Sequence, residues 1–206
     1  LDYGRDNYAG VTWSNVPATD GRRLFIGWMS NWDYANEIPT VNFRSAMTVA
    51  RALRLAHNGE HLVVASEPVK ELESLRREAL LLGDKIRTNT SDAITFENFL
   101  PNNQGAYELT FTVTPNDTDS FSFSIENTKG EVLTYLFDIA NKTLSVDRTK
   151  SSVAFNANFA KTLIEAPLTA KKSYTVRLLV DKVSAELFVN NGEVVQTNTI
   201  FPSEVY

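Results

Sequence analysis

The groups able to do chemistry in this chain are concentrated near its start. All three tryptophans fall between residues 13 and 32, two of them within Ile26-Gly27-Trp28-Met29-Ser30-Asn31-Trp32. Asp33-Tyr34-Ala35-Asn36-Glu37-Ile38-Pro39-Thr40 follows directly. An aromatic ring held on a loop offers a flat apolar face to the C–H side of a sugar ring, and neighbouring Asn and Asp side chains can bind its hydroxyls. Tryptophan is usually packed in a core, and Trp13 and Trp28 are assigned to packing on that ground. The crowding of Trp, Tyr, Asn and Asp into one aperiodic stretch singles out Trp32. Asp2 and Asp6 form a second group just ahead of a strand. Asp in such a place ordinarily closes a turn or accepts from backbone N–H groups. His57 and His61 flank Asn58-Gly59, which reads as a hairpin rather than a helix. No zinc-ligand spacing, phosphate loop or nucleophile elbow accompanies them, so neither a metal site nor a cofactor is expected.

These groups need elements to position them. Tyr107, Leu109, Phe111 and Val113 alternate with Glu108, Thr110 and Thr112. Tyr174, Val176, Leu178 and Val180 do the same, and so do Val183, Ala185, Leu187 and Val189. Period-two alternation means strands with one face buried and one partly wet. Turn signals at Asn127-Thr128-Lys129-Gly130, residues 138–141 and Asn190-Asn191-Gly192 separate the strands, and an antiparallel sandwich is predicted over residues 80–206. Residues 1–66 supply four further strand candidates: Tyr8–Trp13, Arg23–Met29, Ala46–Leu55 and His61–Ala65. Four antiparallel strands make one propeller blade, and a lone blade cannot bury both of its faces. Between Ser30 and Arg44 no periodicity is visible; structureless loops beyond about 12–15 residues are uncommon and often functional. Residues 67–79 read as a linker with a short helix, Ser66 as its N-cap and Val69, Leu72, Leu75 and Leu80 as its apolar stripe.

Composition narrows the classes of function. Hydrophobic residues make up 43% of the 206 and charged residues 22%, the profile of a globular protein. A net charge of −5 carries no electrostatic footprint for nucleic acid. There is no cysteine, hence no disulfide, thiolate metal site or Cys nucleophile. No apolar run approaches the roughly 18 residues of a membrane span. The opening Leu1-Asp2-Tyr3-Gly4, with no initiator Met or signal peptide, reads like an excised piece. Asn89, Asn116 and Asn141 begin glycosylation sequons, a motif that also arises by chance.

Several long motifs resemble one family. Asp2-Tyr3-Gly4-Arg5-Asp6-Asn7-Tyr8-Ala9, Thr12-Trp13, Gly27-Trp28-Met29-Ser30-Asn31-Trp32, Ile38-Pro39-Thr40 and Arg44-Ser45-Ala46-Met47 look like the last propeller blade of glycoside hydrolase family 32. Asn141-Lys142-Thr143-Leu144, Val146-Asp147-Arg148, Glu186-Leu187-Phe188-Val189-Asn190-Asn191-Gly192-Glu193 and Phe201-Pro202 resemble its C-terminal sandwich. The resemblance implies an all-β chain: the final blade of an incomplete five-bladed β-propeller (residues 1–66), the linker (67–79), and a lectin-like antiparallel β-sandwich (80–206). It implies a parent enzyme of levanase, inulinase or invertase type that cleaves β-fructosyl linkages with retention. Such a parent would act on fructan or sucrose outside the cytoplasm, being extracellular, periplasmic or on the cell surface.

Retention requires two carboxyl groups about 5–5.5 Å apart. The family carries them in Asn-Asp-Pro and Glu-Cys motifs, with a further acid in Arg-Asp-Pro; none of the three occurs here. Catalytic residues are therefore expected only in blades upstream of Leu1, and this chain alone is expected to be inactive. What carries over is a pocket wall: Trp32 resembles the family's aromatic beside the fructosyl ring, with Asn31, Asp6 and Tyr8 as further lining. The sandwich is expected to support the propeller, with glycan binding as the alternative. Family members usually continue with at least one more strand beyond this point. A sandwich lacking it would expose an unpaired edge that invites pairing with a second copy of the chain, hence a homo-oligomer.

Overall fold

Alternating apolar residues build three sheets in this protein, seen in a computed structural model that describes residues 1–77, 79–83, 93–97, 104–160 and 163–206. Glu78 and the sequon at Asn89 lie outside the described residues. The described residues are almost entirely strand and loop, as the alternation requires, with one short 3-10 helix, Lys70–Leu75.

The first sheet holds β1 (Tyr8–Thr12), β2 (Arg23–Met29), β3 (Ala46–Met47), β4 (Arg51–His57) and β5 (Leu62–Pro68). Its strands run antiparallel in the order β1-β2-β4-β5, with β3 continuing alongside β2. The single strand predicted over Ala46–Leu55 is thus two. At residues 48–50 the backbone is drawn out of the ladder: the Val49 N–H donates to Glu186 Oε1 (3.0 Å), and the Ala50 carbonyl accepts from the Val69 N–H (3.0 Å). Asn58 Oδ1 caps the β4–β5 turn by accepting from the N–H groups of Glu60 (2.9 Å) and His61 (2.8 Å). That makes a hairpin, as the Asn58-Gly59 pair implies.

Ser66 does not cap the helix. It lies within β5, buried, and the residue ahead of the helix is Val69. No residue of the helix is buried, so the predicted apolar stripe has no counterpart there.

Two four-stranded sheets form the rest. One orders β10 (Ile164–Pro167), β9 (Thr143–Lys150), β8 (Val132–Asp138) and β7 (Ser120–Glu126); the other orders β13 (Val194–Thr199), β12 (Ser184–Val189), β11 (Tyr174–Asp181) and β6 (Tyr107–Val113). All pairs are antiparallel. Their inner faces share one core containing Leu133, Tyr135, Phe137, Tyr174, Leu178 and Leu187, each 0% exposed. Phe121 stacks on Phe137 at 4.4 Å and Phe123 on Tyr135 at 4.8 Å.

β12 departs from the simple alternation rule. All its residues are buried, as are all those of β13, because their second face meets the first sheet instead of water. Asn190, Asn191 and Gly192 all have positive φ, and the turn they form presses on β5. The Ser66 N–H donates to the Gly192 carbonyl (3.0 Å), and a Cβ built at Gly192 would stand 2.1 Å from the Ser66 carbonyl oxygen.

The N-terminal segment completes the junction. Residues 1–6 run alongside β13 with a parallel bridge from Asp2 to Val195. Tyr3 N–H donates to the Val195 carbonyl (2.8 Å) and Asp6 N–H to the Thr197 carbonyl (3.1 Å). The outer edge of β13 is therefore covered by the chain's own beginning.

Candidate functional site

β2 ends at Met29, and the chain leaves the sheet at Ser30 into the predicted aperiodic loop. Trp32 stands at its start, 68% exposed, with its ring 4.9 Å from that of Trp28. Tyr8 on β1 is 57% exposed and meets Trp28 edge-on at 6.3 Å. Trp28 is thus half-buried beneath two exposed rings, in keeping with a packing role, while Trp32 and Tyr8 present open faces. Trp13 is partly exposed and lies apart from this group.

Asn31 is occupied differently from its neighbour. Its side-chain N–H donates to the Arg5 carbonyl (3.0 Å), and its Oδ1 accepts from the Asp33 N–H (2.9 Å). Both polar atoms fasten the loop. Arg5 reaches across to Asp33 at 2.7 Å.

Asp6 is wholly buried. Its Oδ2 accepts from Arg148 Nη1 (2.7 Å) and from the Thr199 N–H (2.9 Å), and its Oδ1 accepts from the Tyr34 hydroxyl (2.6 Å). Arg148 Nη2 donates to that same hydroxyl (2.8 Å), and the guanidinium lies 4.1 Å over the Phe159 ring. Burial, reinforced by the Asp6 charge, pushes the Tyr34 phenol well above its ordinary range. The carboxylate of Asp6 is spent on the seam between sheet and sandwich.

Asp2 has a parallel arrangement. Its Oδ1 accepts from the N–H groups of Gly4 (2.9 Å) and Thr197 (3.0 Å), the turn and backbone contacts its sequence position implies. Its Oδ2 accepts from Arg51 Nη1 (2.7 Å), whose Nη2 donates to Glu186 Oε2 and to Thr197 Oγ1 (2.6 Å). Burial pushes the Glu186 carboxyl above its ordinary 4.5 even with Arg51 beside it. Burial acts on Asp2 in the same sense. There the Arg51 charge and hydrogen bonds from Thr197, Arg51 and Asn7 outweigh it and hold the carboxyl below 3.8.

The two acids expected near the pocket mouth are therefore ligands of buried arginines. Arg51, Arg148, Tyr34 and Glu186 were missed as a set by sequence reasoning. The visible signal was weak: a charged residue at a position where strand alternation calls for burial, as at Arg148 in phase with Leu144 and Val146. Among the described residues no cluster of His, Cys, Asp and Glu could hold a metal ion. No helix among them is long and apolar enough to cross a membrane.

A separate groove of about 420 Å³, floored in part by Pro68, Phe111 and Phe188, runs between β5 and the β6–β11 face. It is lined by Glu67, Thr110, Thr112, Thr175, Arg177 and Asn191 among others.

Residues 71–206 match the model described as glycosyl hydrolases family 32 C terminal, and residues 1–66 match the family's N-terminal domain. The chain belongs to glycosyl hydrolase family 32. It is 39% identical to a levanase of Bacillus subtilis, covering 98% of this chain and 30% of that protein. It is 30% identical to an invertase of Kluyveromyces lactis, covering 98% of this chain and 36% of that protein. A crystal structure of an exo-inulinase from Aspergillus awamori superimposes with a TM-score of 0.71 at 25% identity, over 98% of this chain and 39% of that one. The chain thus spans about a third of the length of the curated relatives it matches. The family match agrees with the resemblance read from the motifs and with an all-β fold of propeller-end and sandwich type.

Proposed function

We propose that this chain is the non-catalytic C-terminal portion of a retaining family 32 hydrolase acting on levan, inulin or sucrose, and that Trp32 forms one wall of its fructosyl site. In this reading residues 1–66 are the last blade, residues 67–79 the linker, and residues 80–206 a supporting sandwich. The observation that carries it is the exposed Trp32 ring, backed by Trp28 and flanked by Tyr8, at the blade rim of a family 32 chain. Contiguous exposed apolar patches mark ligand or protein contacts, and Trp32 with Tyr8 over Trp28 forms such a patch. Tyr8 is the second lining residue. Asn31 and Asp6 contribute by holding the loop, since their polar atoms are already engaged.

The catalytic carboxylates belong, in this proposal, to propeller blades that precede Leu1. Support comes from the missing acidic motifs and from the blade's uncovered apolar residues. Val11, Met47, Leu55 and Leu62 are each more than half exposed, at 61%, 51%, 75% and 72%. Val11 and Met47 share one face with Trp28, and Leu55 and Leu62 lie on the opposite face; a neighbouring blade would cover one of these faces. A polymeric fructan is met outside the cytoplasm, and the protein is assigned there.

The test is an assay of the pure 206-residue chain against levan, inulin and sucrose, beside the same chain extended by the preceding blades. No fructose from the short chain and release by the long one is the expected result. Release by the short chain overturns the non-catalytic reading.

The groove between β5 and the sandwich favours a second reading, a glycan-binding sandwich. Against it, Phe96 is the one exposed aromatic among the described residues of 80–206, and it does not line the groove. Titration of the chain with inulin or levan oligosaccharides decides the matter, and no spectral shift at millimolar ligand rejects this second reading.

A further inference from the structure

The loop that carries Trp32 is held from both halves of the chain: Arg5 and Arg44 tie it to residues 1–66, and the sandwich half holds its buried side chains. Tyr34 and Ile38, both buried, pack against Phe159 and Phe201, with Phe155 alongside. All three phenylalanines come from the sandwich half. Tyr34 meets Phe159 at 5.1 Å and Phe155 at 6.4 Å, edge-on in each case. Under this cluster Arg148 on β9 spreads one fork over three acceptors: Asp6 Oδ2 (2.7 Å), the Thr199 carbonyl (2.9 Å) and the Tyr34 hydroxyl (2.8 Å). On the other flank of Trp32, Asn156 donates to the Asp33 carbonyl (3.4 Å). Among the described residues the indole meets only the Trp28 ring, and it is 68% exposed. Its location is therefore set by its backbone, which Asn31 ties to Arg5 one residue before and Arg148 holds through Tyr34 two residues on.

We propose that Arg148, acting through Tyr34 and Asp6, is a positioning residue for Trp32, so that the sandwich shares with the blade in fixing one wall of the sugar site. The inference rests on the reading of Trp32 as that wall. Arg148 suits the task because a planar guanidinium holds several acceptors at fixed angles; a lysine at the same place keeps the charge and loses the fork. Small displacements of a group that orients substrate carry large kinetic penalties, so the coupling is measurable.

The experiment uses the complete hydrolase and the variants Tyr34→Phe, Arg148→Lys, Trp32→Ala and Tyr34→Phe/Trp32→Ala. Tyr34→Phe should raise KM about 3- to 10-fold, with a smaller change in kcat. Trp32→Ala should raise it further, and the double variant should be no worse than Trp32→Ala alone, because Tyr34 acts through the indole. A sandwich-core control, Ile125→Val, should lower Tm and leave KM unchanged.

If Trp32→Ala leaves KM unaltered, the pocket reading itself fails. If Trp32→Ala raises KM while folded Tyr34→Phe and Arg148→Lys do not, or if the effects multiply in the double variant, positioning is overturned and the pocket reading stands. A second measurement needs no sugar and no intact catalytic site. In the 206-residue chain carrying Trp13→Phe, Tyr34→Phe should raise acrylamide quenching and lower the fluorescence anisotropy of the remaining tryptophans. Unchanged values in a folded variant overturn the proposal.

Discussion

Two arginines are buried where the first sheet meets the sandwich, and they do different work. Arg51 and Arg148 have side-chain exposures of 0% and 1%. Arg51 is shared by two carboxylates, Asp2 and Glu186, and everything it touches belongs to strands or to the segment filling the β13 edge. Arg148 faces one carboxylate, Asp6, with a phenol and a backbone carbonyl as its other partners, and one of these sits on the loop with the exposed indole. The first cluster clamps sheet to sheet. The second sets the height of a loop. A buried ion pair is poor evidence of stability in itself, and what it does depends on whether its partners can move.

The comparison can be broken first at Arg51. Arg51→Met leaves two carboxylates buried without their cation and should cost about 3–5 kcal/mol or more. Chemical denaturation should show the transition moved far toward lower denaturant. Arg148→Met strands a single carboxylate that keeps the Thr199 N–H and Tyr34 hydroxyl. It should cost less, about 3 kcal/mol. If the two losses are reversed, the assignment of clamp and loop support is wrong.

A smaller effect tests the junction without touching charge. Gly192→Ala forces a Cβ onto the Ser66 carbonyl at a positive φ and should cost about 1–3 kcal/mol. A thermal scan measures it.

The Arg51 cluster also carries a pH signature. Asp2 has a depressed folded-state pKa, so its stabilisation is complete above the ordinary 3.8 and is lost as pH falls through the lower folded value. Glu186 is raised, so its protonation on acidification works in the opposite sense, relieving a buried charge as pH falls through its folded value above 4.5. Asp2→Asn should therefore flatten the stability loss below about pH 3.8, and Glu186→Gln should not. Stability measured against pH in the three proteins decides this.

Smallest of all, Trp32→Ala should change stability by no more than about 0.5 kcal/mol, since its ring is mostly in water. A large loss would make Trp32 a packing residue and remove its distinction from Trp28.

The strands of the sandwich were legible because their alternation is local. Tyr174, Val176, Leu178 and Val180 are all buried on one face of β11, as the period demands. The break at residues 48–50 was not legible, since its cause is Glu186, 137 positions away. The same distance hid the two arginines. Arg51 opens a strand whose sequence permits a wet face, and only the docked sandwich removes the water. Trp32 stood out by composition and stands exposed. Asn31 and Asp6 stood out by proximity to it, and proximity along a chain does not say which way a carboxylate turns.

The N-terminal segment lying along β13 has a consequence for the order of assembly. Asp2 and Thr197 meet across 195 positions, so Asp2 must wait for the far end of this chain before it finds its strand. Contacts so distant in sequence form late and slowly. Until they do, β13 is an open edge beside a blade whose Arg51 still lacks its carboxylates. The interval between synthesis of β13 and the return of Asp2 is when this chain is most open to pairing with a neighbour.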